Sequence, residues 1–298
     1  MAQNSEDLGN LPSNESVEWV SFEGTDYYTR SFRVEDGTPK ALVVIIHGFG
    51  EHCDRYQDMA RFFVSQGIQV FTFDLKGFGK TGRKGARLGA LGKFEDVYKT
   101  IGFFIDKNKV EGVPVFVYGH SMGGGIVLNF GAEKELDSGV KGIIASAPAL
   151  ETNPDNHYPG VIMKILHKTA EIFPNIPMTI KLNDTGITSN LEELEKYRKS
   201  FYNYDKTTLQ TASEMLRRGE ECMLIKSKTY PIPVLIVHGT NDQLTMSKGS
   251  QTFYDNLPKD LDKELHILES DYHELHFEKD YKDKVYNIYS SWILNRCS

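Results

Sequence analysis

The chain has 298 residues, with 34 Lys and Arg against 41 Asp and Glu, a formal charge of −7, and 40% hydrophobic residues. That length fits one large α/β domain or two ordinary ones, and the acidic balance argues against a nucleic-acid-binding surface. Cys53, Cys222 and Cys297 form no CxxC pair, no charged-then-apolar leader precedes them, and no apolar run approaches the roughly 20 residues of a membrane span, so a reducing, cytoplasmic setting with at most peripheral membrane contact is expected.

Residues 1–16 are polar, without an apolar period, and read as a loose arm. Aromatic and β-branched residues at 17–22 and 27–33 flank the turn signal Glu23-Gly24-Thr25-Asp26, the pattern of an antiparallel hairpin. From residue 41 short apolar runs take over, at 41–46, 68–73, 115–118, 142–145 and 234–237, as in strands buried on both faces of a parallel sheet. Amphipathic stretches at 56–66, 94–107, 123–134, 246–256 and 282–294 predict helices. With right-handed crossovers this alternation makes an α/β fold around a mostly parallel, doubly wound sheet. It stops between 150 and 230, where Pro-bearing segments flank a helical pattern and a charged helix is predicted at 191–199, and it resumes after Tyr230-Pro231-Ile232-Pro233. The expected organisation is a core of 17–149 and 231–298 interrupted by a cap, or lid, at 150–230.

The run 115–118 feeds Gly119-His120-Ser121-Met122-Gly123 and then a helical pattern, the strand, sharp turn and helix of a nucleophile elbow. A serine hydroxyl is a poor nucleophile at neutral pH, so it needs a base, and the base needs an orienting carboxylate. Asp242 lies just past the strand 234–237, and His273 follows Leu265-His266-Ile267-Leu268, giving the order Ser, acid, His. The turn His47-Gly48-Phe49-Gly50 follows another strand, where the Phe49 N–H together with that of Met122 would form an oxyanion hole. Two other patterns point elsewhere and fail. Gly77-Phe78-Gly79-Lys80-Thr81-Gly82 matches GxGxxG, but the residues that follow carry no apolar helical period, so no dinucleotide cofactor is expected. His273-Glu274-Leu275-His276 spaces its histidines by three instead of the four a zinc-protease helix requires, so no metal is expected.

His47-Gly48-Phe49-Gly50-Glu51-His52 with Arg55-Tyr56, Asp74 with Gly77-Phe78-Gly79, Gly119-His120-Ser121-Met122-Gly123-Gly124, His238-Gly239 with Asp242, and His273-Glu274-Leu275-His276 together resemble the monoacylglycerol lipases and their lysophospholipase-like relatives. The resemblance implies the α/β-hydrolase fold with an inserted helical cap, and a serine hydrolase that cleaves lipid carboxylic esters without a cofactor. It places the base on His273, and puts His276, Glu51 and Arg55 near the polar head of the substrate, with Tyr197 in the cap a glycerol contact. The chain departs from the family's cap pattern where Ser200-Phe201-Tyr202 replaces an Asp-Pro-Leu.

Within 159–177, Val161, Ile162, Ile165, Leu166, Ile172 and Phe173 recur at helical spacing. Such a face either packs the cap on the body or shelters an acyl chain and dips into a membrane or lipid-droplet surface. Monoacylglycerol is the expected substrate. The alternatives are a lysophospholipase, a general carboxylesterase or acyltransferase and, outside enzymes, a catalytically silent lipid-binding protein of the same fold.

Overall fold

The computed structural model describes residues 11–35, 37–85, 87–133, 139–151 and 160–297. The hairpin forms as β1 (Glu15–Phe22) and β2 (Thr25–Phe32), joined through Glu23 and Gly24, both at positive φ as a tight hairpin turn requires. The expected arm boundary at 16 moves: Glu15 already pairs with Phe32, and its buried carboxylate accepts from Arg30 (2.6 Å) and Arg61 (2.7 Å). Next come β3 (Ala41–Ile46), α1 (Gln57–Ser65), β4 (Ile68–Phe73), α2 (Gly79–Lys84), α3 (Phe94–Asn108), β5 (Val115–His120), α4 (Met122–Ala132) and β6 (Val140–Ser146). Every residue of β3 and β5 is buried, which is why these strands read as continuous apolar runs.

A short helix, α2, starts inside the GxGxxG pattern and ends at Lys84 without an apolar period. Its first turn is occupied from within. The Asp74 carboxylate accepts from the backbone N–H groups of Lys80 (2.5 Å) and Cys53 (2.8 Å), standing where a bound phosphate would need those donors.

Between β6 and the next core strand lie α5 (Gly160–Ile172), β7 (Pro177–Thr179), α6 (Leu191–Lys199), β8 (Lys206–Thr208) and α7 (Leu209–Leu224), with β7 and β8 paired antiparallel in a small sheet of their own. Helix α7 is absent from the sequence reading. Its buried face is partly polar: Thr211 bonds the Gly89 carbonyl and Glu214 accepts from the Phe94 N–H, which blurs the apolar period. It packs on α4 and α5 and on α8 (Ser247–Asn256), the helix that follows β9 (Val234–Gly239); β10 (Lys263–Leu268) and α9 (Lys282–Leu294) complete the chain.

The main sheet runs β1-β2-β4-β3-β5-β6-β9-β10, parallel from β4 to β10 and antiparallel at β1/β2 and β2/β4. Side chains of α3, α4 and α8 close one face through Val97, Ile101, Ile126 and Phe253, and those of α1 and α9 close the other through Phe63, Tyr289 and Trp292. From β3 the strand order steps to β4 on one side and to β5 on the other. The loops at the carboxyl ends of β3 and β5 therefore meet at a topological switch point, where open α/β sheets place their sites.

Candidate active site

Ser121 joins β5 to α4 at φ 55°, ψ −117°, a strained conformation for a residue with a side chain. The strain is held from outside: its N–H donates to Ser146 O (2.9 Å), and its carbonyl accepts from Gly125 (3.0 Å) and Ala149 (2.9 Å). A Cβ at Gly119 would overlap the Gly123 backbone, and one at Gly123 that of Ile46 and His47, so strand, helix and the neighbouring turn approach closely only with glycine at both places. Ser121 is half-buried. Met122 opens α4, so its N–H has no acceptor inside the helix.

The turn 47–50 lies against this elbow, since a Cβ on Gly48 would sit 3.2 Å from that of Ser121. Leu75 N–H donates to His47 Nε2 (2.9 Å), which fixes the proton of the neutral ring on Nδ1, from where it is donated to the Gly48 carbonyl (2.8 Å). Glu51 Oε1 accepts the Gly48 N–H (2.5 Å). In a trans peptide the C=O and N–H point in opposite directions, so holding the Gly48 carbonyl also aims the Phe49 N–H.

Asp242 follows β9 and uses both oxygens. Oδ1 accepts the N–H groups of Leu244 (2.8 Å) and Thr245 (3.1 Å), closing the local turn; Oδ2 accepts His273 Nδ1 at 2.6 Å and His238 Nε2 at 3.1 Å. Burial pushes this carboxyl up, but the His273 charge and the hydrogen bonds from both rings outweigh it and hold it well below the usual carboxylate range. Burial pushes His273 down, and Asp242 reverses this, leaving the ring above its ordinary value. His273 Nε2 is buried with no hydrogen-bond partner among the described residues, and its ring lies 4.6 Å from that of His120, the neighbour of Ser121. Thr245, whose hydroxyl also reaches Asp242 Oδ2 (3.1 Å), is absent from the sequence reading, and His238 enters it only as part of the His238-Gly239 motif, with no role of its own. His238 stands one residue before the end of the strand that delivers Asp242, four positions ahead of that carboxylate.

The residues expected around the substrate head group cluster on the other side of His120. Arg55 donates to Glu51 through Nη1 and to both oxygens of Glu274 (2.6 and 2.8 Å), and the Tyr197 ring faces its guanidinium at 4.9 Å. Two buried carboxylates thus share one cation. Burial raises Glu274, which Arg55 only partly offsets; Glu51, also bonded by Tyr56 (2.7 Å) and Gly48, is lowered against its burial chiefly by Arg55. His276 stacks on Tyr56 at 5.4 Å and meets His120 edge-on at 4.7 Å; neither of its nitrogens has a partner among the described residues, and burial drives it well below the ordinary histidine value. His120, Glu274 and His276 bring potential metal-ligand atoms within 4.8 Å of one another. Both Glu274 oxygens are committed to Arg55, so a metal would have to displace a guanidinium. Cys53 is a buried thiol in the turn before α1, raised by burial above its ordinary pKa. Among the described residues no helix is long and apolar enough to cross a membrane.

A mostly parallel switch-point sheet carrying a strained serine between strand and helix, with a buried Asp–His pair after its last two strands, defines an α/β-hydrolase fold. The chain belongs to the serine aminopeptidase S33 family, whose model matches residues 37–280. A putative monoglyceride lipase of Schizosaccharomyces pombe is 32% identical over 275 residues, 90% of this chain and 71% of that protein. The monoglyceride lipase of Saccharomyces cerevisiae is 28% identical over 289 residues, 91% and 89% of the two chains. A soluble variant of the S. cerevisiae enzyme, solved with a substrate analog, superposes with a TM-score of 0.83 at 24% identity, covering 98% of each chain, a likeness of fold.

Proposed function

We propose that this chain is a serine hydrolase of lipid carboxylic esters, with monoacylglycerol as substrate and glycerol and a fatty acid as products. The observation that carries it is the buried 2.6 Å Asp242–His273 bond set beside the strained Ser121 elbow. In this mechanism His273 Nε2 takes the Ser121 proton as Oγ bonds to the ester carbonyl carbon, and the N–H groups of Phe49 and Met122 hold the oxyanion. His273 then protonates the departing glycerol oxygen as the C–O bond breaks. Water adds to the acyl-enzyme, giving its proton to the same ring, and collapse releases the fatty acid and restores Ser121.

The substrate assignment is supported by the names of the S. pombe and S. cerevisiae relatives. Glycerol would meet His276, whose unpartnered nitrogens can donate and accept, with the Glu51–Arg55 pair and Tyr197 behind it. Residues 150–230 serve as the cap in this reading. On α5 and just beyond it Ile162, Ile165, Ile172 and Phe173 are exposed, which supports peripheral contact with a membrane or lipid droplet over internal packing of that face.

A fluorophosphonate probe tests the chemistry: the wild type should label, Ser121→Ala should not, and a folded, unlabelled wild type would sink the proposal. A panel of monoacyl-, diacyl- and triacylglycerols, a lysophospholipid and an aminoacyl anilide tests the substrate. Preference for any class but the first overturns that assignment alone.

A further inference from the structure

The segment that replaces the family's Asp-Pro-Leu is docked onto the turn that carries Phe49. Tyr204 N–H donates to the Gly50 carbonyl (2.9 Å), and Gly50, at φ 71°, lies so close to Tyr204 that a Cβ would come within 2.6 Å of its carbonyl oxygen. The Tyr204 hydroxyl donates to Gly77 O (2.6 Å), and its ring lies parallel to Phe78 at 6.2 Å. Phe78 in turn meets Phe49 edge-on at 5.6 Å and His47 at 6.1 Å. Outside, Arg83 stands over the Tyr204 and Phe201 rings and donates twice to the Phe201 carbonyl (2.6 and 3.1 Å).

We propose that Tyr204 is a positioning residue for the oxyanion turn. It bolts the segment 200–205 to the turn that aims the Phe49 N–H, so the placement of this segment sets how well the oxyanion is held. From inside, His47 fixes the Gly48 carbonyl; from outside, Tyr204 fixes the Gly50 carbonyl and, through Phe78, the Phe49 side chain. A peptide donor pinned on both flanks pays no reorganisation when charge develops. The inference rests on the proposed role of Phe49.

The test compares wild type, Tyr204→Ala, Tyr204→Phe and Arg83→Ala, with active sites counted by fluorophosphonate. A long-chain trifluoromethyl ketone reads the oxyanion hole, since the Ser121 oxygen adds to its carbonyl carbon, the proton passes to His273, and the new alkoxide sits on the donors. For Tyr204→Ala, kcat on monoacylglycerol and ketone affinity should both fall about tenfold, less than the roughly 10² to 10³ for deleting a donor, while KM stays within about threefold. Tyr204→Phe keeps the stack on Phe78 and should recover most of the loss, and Arg83→Ala should move both readouts about threefold. If Tyr204→Ala does not fold, the other two variants carry the test. Ketone affinity unchanged in the folded variants, or a rise in KM alone, overturns the proposal. A wild type that neither labels nor binds the ketone overturns the mechanism instead.

Discussion

The carboxyl ends of β3, β5, β9 and β10 and the stretch between β6 and β9 are built on opposite terms. At the strand ends the chemistry-bearing groups are buried and tied: Asp242 uses both oxygens, Arg55 serves two carboxylates, and the Ser121 backbone is bonded on both flanks. In the other region Ile165 and Ile172 stand more than 60% exposed, and the small sheet is two strands of three residues. Reactivity needs groups held to within fractions of an ångström, and a saturated, buried network supplies that. Surface contact with an aggregated lipid needs apolar area that water can reach. A substitution at the strand ends should therefore change rate or folding, and one on the exposed helix face should change where the protein binds.

The largest effect is expected at Asp242. Asp242→Asn keeps the volume but offers His273 Nδ1 an amide, so the imidazole loses the partner that fixes its tautomer; kcat should drop about 10⁴-fold, the size such a change has in serine proteases, measured on a short-chain monoacylglycerol. A drop below tenfold would mean that His273 is not the base.

Arg55 should matter chiefly to folding. Removing it as Arg55→Ala leaves Glu51 and Glu274 buried with no shared cation, a loss of about 3 to 5 kcal/mol in a urea melt. Glu274→Gln keeps a hydrogen-bonding group and leaves one carboxylate for one guanidinium, and should cost about 1 kcal/mol or less. Equal losses would show that the cluster does not carry the excess negative charge that its two carboxylates and one guanidinium imply.

The sign of the His273 shift makes the comparison a matter of pH. The base acts only when neutral and its pKa is raised in the fold, so the acid limb of kcat/KM should lie above the ordinary value of 6.5. The same shift gives a stabilising contribution that is full below 6.5 and fades as pH rises through the folded value. Asp242, depressed in the fold, contributes above its ordinary 3.8 and loses that contribution as pH falls toward its folded value. An acid limb below 6.5 would contradict the Asp242 effect on the ring.

The contrast between the regions also decides what could be read from the chain. The strands of the main sheet and seven helices, α1, α3, α4, α5, α6, α8 and α9, are legible because strands such as β3, β5 and β9 are buried on both faces and most of these helices carry an apolar or charged period, whereas the short β7 and β8 are not. The places of Ser121, Asp242 and His273 are legible because each follows a strand with an apolar run, although β10 before His273 is a half-exposed edge strand. The contact of His238 with Asp242, and Thr245 altogether, are not legible, since both bond one carboxylate oxygen and leave no spacing rule. Nor is α7, whose buried face mixes Thr211 and Glu214 with Leu209 and Met223. The docking of Tyr204 on Gly50 is a contact across more than 150 positions in which the hydrogen bond is backbone to backbone, invisible to any motif.

The smallest effect on the molecule itself is expected at Ile165, which is 62% exposed and packs against little. Ile165→Glu should leave stability within about 0.5 kcal/mol of wild type and should leave turnover of a dissolved short-chain ester unchanged. On phosphatidylcholine vesicles the same variant should bind about tenfold more weakly, since it withdraws an isoleucine side chain worth roughly 1.5 to 3 kcal/mol when buried, and turnover of long-chain monoacylglycerol presented in those vesicles should fall with it. Neither change would follow if the exposed face of α5 stayed in water during catalysis. Unchanged vesicle binding in a folded Ile162→Glu, Ile165→Glu double variant would therefore break the division of labour: the site at the strand ends would keep its chemistry, but this helix face would lose its claim to be what brings the enzyme to lipid.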